Sequence, residues 1–164
     1  MGLFDFLDPT RDWPAVPGKA PNLNRVLMQL DSLRFGSPID AARILGRPDA
    51  FRWIRRGKKS CELLYASKGL RLRFDDGKLR EVRYLIGKAS SDHPAFVASV
   101  PLSPDGTPLT PDIDRERVTA LFGEPDPGGS DDTCLQVFHG EHIASDFNLD
   151  ENGHLTEWAI YSLD

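Results

Sequence analysis

Cysteine and methionine are scarce in this chain, two of each in 164 residues. Two thiols over this length make no disulfide framework, which points to a reducing compartment. Nowhere does the sequence hold the ~18 consecutive apolar residues that a membrane helix requires. The opening stretch MGLFDFLDPTRDWP has no basic flank, no long apolar run and no small-residue cleavage site. No secretory signal is therefore expected, and a cytoplasmic location is. Phe6 stands where an N-myristoylation pattern wants Ser or Thr. Basic residues almost disappear from the second half of the chain. Residues 90–164 hold 2 Lys and Arg against 15 Asp and Glu, whereas residues 1–89 hold 18 against 10. The net charge of -5 thus divides into a basic half of +8 and an acidic half of -13. An acidic half would repel phosphates, so nucleic acid is not expected to be wrapped by the whole molecule. The two halves can instead complement each other, within one copy or between copies of an oligomer, or each can meet a partner of opposite charge.

What is present is the material of a globular core, with 40% hydrophobic and 27% charged residues. A chain of this length buries roughly 70% of its unfolded surface and needs neither metal nor disulfide to fold. It also reads as two copies of one pattern. SPIDAARILGRPD (37–49) matches TPDIDRERVTALFGEPD (110–126). Each begins with a hydroxyl residue before proline, Ser37-Pro38 and Thr110-Pro111, the signature of an N-cap followed by a pre-set first turn. Each ends at a glycine, Gly46 or Gly123, with proline two positions on, so a short capped helix is predicted in both. SCELLYA (60–66) then matches TCLQVFH (133–139), and 69–87 matches 141–163, with Asp76-Gly77 and Asn152-Gly153 as hairpin turn signals. The predicted organisation is an N-terminal arm over 1–21, a basic repeat over 22–89 and an acidic repeat over 90–164. The predicted class is α+β, each repeat a short capped helix packed on an antiparallel sheet. The front of each repeat is ambiguous. NLNRVLMQLDSLRF (22–35) has helical spacing, but its counterpart FVASVPLSPDGTPL (96–109) carries three prolines, so strand-turn-strand is preferred for both.

A capped helix ending in L-G-x-P, followed by antiparallel strands and written twice, resembles the family of β-lactamase inhibitory protein. It is also similar to the outer-membrane lipoprotein domain of the SmpA/OmlA (BamE) family. The resemblance implies a duplicated helix-on-sheet unit that binds through its exposed sheet and performs no catalysis. Two departures limit it: those relatives are exported, and the inhibitory proteins have a disulfide in each repeat where this chain has one cysteine, Cys61 or Cys134.

Chemistry-bearing groupings are few. His139 and His142 of HGEH stand three apart at a strand boundary, a poor spacing for a shared ion, so neither a metal nor another cofactor is expected. The adjacent residues of SSDH (90–93) cannot converge as a triad, and GKAS (87–90) has Val82 where a phosphate loop needs glycine. Cys61 and Cys134 lie in apolar strands, where a thiol is ordinarily a small hydrophobe. FRWIRRGKK (51–59) surrounds Trp53 with Arg52, Arg55, Arg56, Lys58 and Lys59, the combination that single-stranded nucleic acid binding uses. GLFDFL (2–7) reads as a segment docking on the core or on another copy.

Alternation sorts the strands into two faces. Leu70, Leu72, Phe74, Val82, Tyr84, Ser145, Phe147, Leu149, Trp158 and Ile160 are expected inside. Arg71, Arg73, Glu81 and Arg83 are expected outside, as are Ala144, Asp146, Asn148, Glu157 and Tyr161. A face with arginines at one end and acids with a tyrosine at the other suits protein recognition. The expected function is a non-catalytic protein-binding module, in concrete form a bacterial inhibitor or immunity-type protein, with Trp53, Arg55, Arg71, Arg73, Arg83, Asp146, Asn148, Glu157 and Tyr161 touching the partner. The alternative is a nucleic-acid-associated protein using the basic Trp53 loop.

Overall fold

In a computed structural model the chain is described at residues 8–16, 21–86, 100–104, 106 and 108–164. The segments GLFDFL, GKAS and SSDH lie outside the described residues. The predicted helix-on-sheet class is corrected by the structure, which is mostly β. Among the described residues there are eleven strands in two sheets, one α-helix of eight residues, a 3-10 helix of seven and two 3-10 turns of three. The strands are β1 (Leu23–Asn24), β2 (Gln29–Leu30), β3 (Ala50–Arg55), β4 (Ser60–Tyr65), β5 (Leu70–Asp75), β6 (Lys78–Leu85), β7 (Val100–Ser103), β8 (Pro108–Leu109), β9 (Cys134–Phe138), β10 (Ile143–Leu149) and β11 (Leu155–Ser162). Helix α1 spans Arg115–Phe122.

The large sheet is antiparallel, in the order β3-β4-β5-β6-β11-β10-β9. Two meanders therefore meet edge to edge through their last strands, with Arg83 opposite Ala159 at the centre of the β6–β11 pairing. The small sheet has the order β2-β1-β7-β8, in which β1 and β7 run parallel with Leu23 opposite Leu102. Both front segments are thus strand-turn-strand. Val26 falls in the turn, however, and is 69% exposed.

The predicted helices are shorter and differently capped. Ser37 is spent on the preceding turn, where its Oγ accepts from the Arg34 amide at 3.2 Å, and Ile39–Leu45 winds as a 3-10 helix. In the second copy the cap is Asp114, whose carboxylate accepts from the Arg117 amide at 2.9 Å, while Thr110 and Pro111 form a separate turn. Gly46 and Gly123 do close the helices at φ 82 and 100. Asp76-Gly77 is the tight hairpin expected, with both φ values positive. Asn152-Gly153 instead sits in a longer loop held by Asp150, whose carboxylate accepts from the amides of Asn152 and His154.

The inner face of the large sheet carries the core, and every residue assigned inward by alternation is buried. A second layer made of the small sheet, α1 and the 3-10 helix covers it, and both layers form one apolar cluster. Trp158 is its centre, stacked between Phe147 at 5.4 Å and Tyr84 at 5.8 Å and met by Phe122 of α1 at 5.1 Å. The described part of the arm is docked. Trp13 is buried, and the Arg47 amide donates to Pro14 O. The buried Lys68 ammonium donates to Val16 O at 3.0 Å and Leu45 O at 2.6 Å, joining the arm to the end of the 3-10 helix.

Candidate interaction surface

The same alternation that buries one face of the large sheet leaves the other without a second layer, apart from the 126–130 loop, whose Gly129 packs on Gln136 at the β9 edge. Register converts the outer positions into cross-strand rows. Leu64, Arg71, Arg83, Ala159, Asp146 and Gln136 form one row across β4 to β9. Glu62, Arg73, Glu81, Tyr161, Ala144 and Phe138 form the next. Arg71, Arg73, Arg83, Asp146, Asn148, Glu157 and Tyr161 thus share one face, although they come from separate halves of the chain.

Polar contacts knit most of this face. Arg83 bridges the two meanders, with Nε at 2.7 Å from Glu81 Oε1 and Nη1 at 2.9 Å from Glu157 Oε1. Asn148 Nδ2 donates to the same Glu157 oxygen at 3.0 Å. On the acidic side the Tyr161 hydroxyl donates to Asp146 Oδ1 at 3.0 Å and accepts from Gln136 Nε2 at 2.7 Å. Burial and the Asp146 carboxylate push the Tyr161 phenol up to about 12, so it stays a neutral donor. Arg73 pairs with Asp75 at 3.0 Å and Arg52 with Glu62. Arg71 stands apart, half-buried and without an ion pair or hydrogen bond to any described residue.

Two of the anticipated residues are placed elsewhere. Trp53 points to the core side of β3, opposite Cys61 and edge-on to Phe51 at 5.1 Å. Arg55 lies beyond a register shift at the end of β3, where with Lys58, Ser60 and Arg73 it lines a cavity of about 280 Å³ that also holds Asp75 and Asp76. Trp53 and the sheet arginines therefore face opposite sides. Ala144, assigned outward, has no exposure, because its short side chain sits in the row between Phe138 and Tyr161. Gln136 was not anticipated. The alternation of Cys134, Gln136 and Phe138 along β9 was the signal that would have found it.

The reactive side chains are held in unreactive states. His139 Nε2 lies 2.8 Å from Ser145 Oγ, a serine–histidine contact, but Ser145 has no exposure and no substrate atom can reach it. Burial pushes the His139 imidazole down to about 4, keeping it neutral at pH 7. Burial pushes the Cys61 thiol up to about 12. Cys134 lies five strands away, about 24 Å at the usual strand spacing. His142 pairs instead with Asp164 at 2.9 Å. Among the described residues no three or more His, Cys, Asp or Glu side chains converge as a metal site. Among the same residues, no helix is long and apolar enough to cross a membrane.

No family model and no curated protein matches the chain. A similar solved structure is a cysteine-rich secretory protein from Staphylococcus aureus, 11% identical, with a TM-score of 0.47 over 91% of this chain. This chain spans about half, 51%, of that protein's length.

Proposed function

We propose that this protein is a non-catalytic binding module that grips another protein through the outer face of its large sheet. The observation that carries this reading is convergence: charged and aromatic residues from both halves of the chain form one ordered surface on the outer side of the sheet. Preformed hydrogen bonds and ion pairs hold that surface in place, which lowers the entropy lost on docking, while its charges steer encounter. The serine–histidine pair, with its serine fully buried, and the protonated thiol support a role without chemistry. The face of Trp53, turned away from the arginines, favours a protein partner over a nucleic acid, which needs stacking and phosphate contacts on one side. In its concrete form the protein acts in the cytoplasm as an inhibitor or immunity-type protein.

The test is capture from the native host by immobilised wild type, by the charge reversal R71E/R73E and by the control R117E on α1. A partner retained at about 50 mM salt and released at about 500 mM, lost with R71E/R73E and kept by R117E, is the expected result. Retention by all three proteins alike, or no salt-sensitive partner at all, refutes the reading.

A further inference from the structure

We infer that the partner presents an extended acidic segment to this face, with one carboxylate seated on Arg71 and its neighbours running along β5. The inference rests on the reading above and names the chemistry of the partner. Every other arginine on the face already has a carboxylate: Arg52 has Glu62, Arg73 has Asp75, and Arg83 has Glu81 and Glu157. Arg71 has none among the described residues. It stands directly opposite Arg83 and two residues from Arg73, so its direct neighbours across β6 and along β5 are like charges, while Glu62 and Glu81 lie diagonally. Like charges directly opposite across a ladder are unfavourable, and such local conflict is retained where a ligand resolves it. Leu64 flanks it on β4, giving the guanidinium a partly apolar setting in which a bidentate carboxylate pair is strengthened. Arg71 and Arg73 lie about 6.8 Å apart along the pleat, the spacing of alternate side chains in an extended peptide. Past the end of β5, Arg55 and Lys58 line the cavity of about 280 Å³ together with Asp75 and Asp76, so the cavity is of mixed charge and the carboxylate seat is Arg71. Asp146, the acid in the same row, is held by the neutral donors Tyr161 and Gln136 at the far end of the sheet, three strands from Arg71, so the positive charge on β5 is left without a carboxylate at Arg71 itself.

The experiment is a titration of the isotopically labelled protein at low ionic strength, following the arginine Nε–Hε resonances. The probes are a capped decapeptide of alternating glutamate and serine, its lysine counterpart, and a short oligouridylate. The expected result is a shift of the Arg71 resonance with the glutamate peptide, none with the lysine peptide, and binding about tenfold weaker for R71Q. R71K is expected to restore part of the affinity, and R117A to leave it unchanged. Circular dichroism checks that each variant is folded. The inference is overturned by equal affinity for R71Q, by shifts confined to residues away from β5, by no binding of the glutamate peptide, or by tighter binding of the oligouridylate at Arg71. Should Arg71 prove indifferent to the peptide while R71E/R73E still abolishes partner capture, the acidic-segment inference fails and the sheet-face reading stands. Capture indifferent to R71E/R73E removes both.

Discussion

Burial of the His139 imidazole beside Ser145 makes stability depend on pH. An imidazole free in the unfolded chain titrates near its ordinary 6.5, whereas burial holds the folded one at about 4. Between those values the unfolded chain binds a proton that the folded chain refuses, so the folded state loses ground as pH falls. The loss begins below about pH 6.5, grows through the window and levels off below about pH 4. Each pH unit in the window is worth about 1.4 kcal/mol, which sets an upper bound near 3 kcal/mol. His139 is half-buried, and solvent screening of its charge reduces the expected figure to about 1.5–2 kcal/mol. The assay is urea unfolding of wild type and H139Q from pH 7.5 to 4, because glutamine can still reach Ser145 Oγ but does not titrate. The difference between the two proteins cancels every other titrating group. The wild-type advantage is expected to shrink by about 1.5–2 kcal/mol on acidification. A difference independent of pH, or one that grows toward pH 4, would falsify the argument.

Three further outcomes follow from packing and burial. Gly46→Ala combines a left-handed φ of 82 with a new Cβ placed 2.7 Å from Val16 Cβ and 2.9 Å from Pro14 O. It should cost about 3 kcal/mol in denaturant unfolding and expose the arm to protease, since neither strain has a cheap escape. The Trp158 indole N–H is buried without a hydrogen-bond partner among the described residues, so Trp158→Phe sheds an unsatisfied donor along with some volume. It should cost under about 2 kcal/mol, against about 4–5 for Trp158→Ala, and equal losses would show that the N–H is satisfied. Cys61 should react with a thiol reagent at pH 8 at least about tenfold more slowly than the half-buried Cys134, and mass mapping of the labelled native protein reads the ratio.

The legible part of this molecule was the side on which each strand residue stands. Leu70, Leu72 and Phe74 against Arg71 and Arg73 announce a half-buried strand, because a pleat places neighbours on opposite faces whatever the strand is paired with. The helices were over-read for a related reason. Capping residues and a closing Gly-x-Pro are local signals. Whether eight residues of helix or a second sheet covers the core depends on which surface must be filled. Here the parallel pairing of Leu23 with Leu102 builds part of that cover beside α1 and the 3-10 helix, a contact between residues seventy-nine positions apart that leaves no local pattern. Trp53 was grouped with its basic neighbours by proximity in sequence, while the pleat sends it to the opposite face from Arg52.

The sequence by itself determined the strands from β4 to β6 and from β9 to β11, the Asp76-Gly77 turn and which of their side chains look outward, since these follow from the pleat's repeat of two and from the backbone freedom of individual residues; β3, read as a basic loop, was not among them. Tertiary structure alone decided who stands beside whom. The meeting of β6 with β11 hands Arg83 the carboxylate of Glu157, seventy-four positions away, and the register between β5 and β6 leaves Arg71 beside another arginine. A charge's partner depends on distances across strands, and those are set only when the whole sheet has assembled.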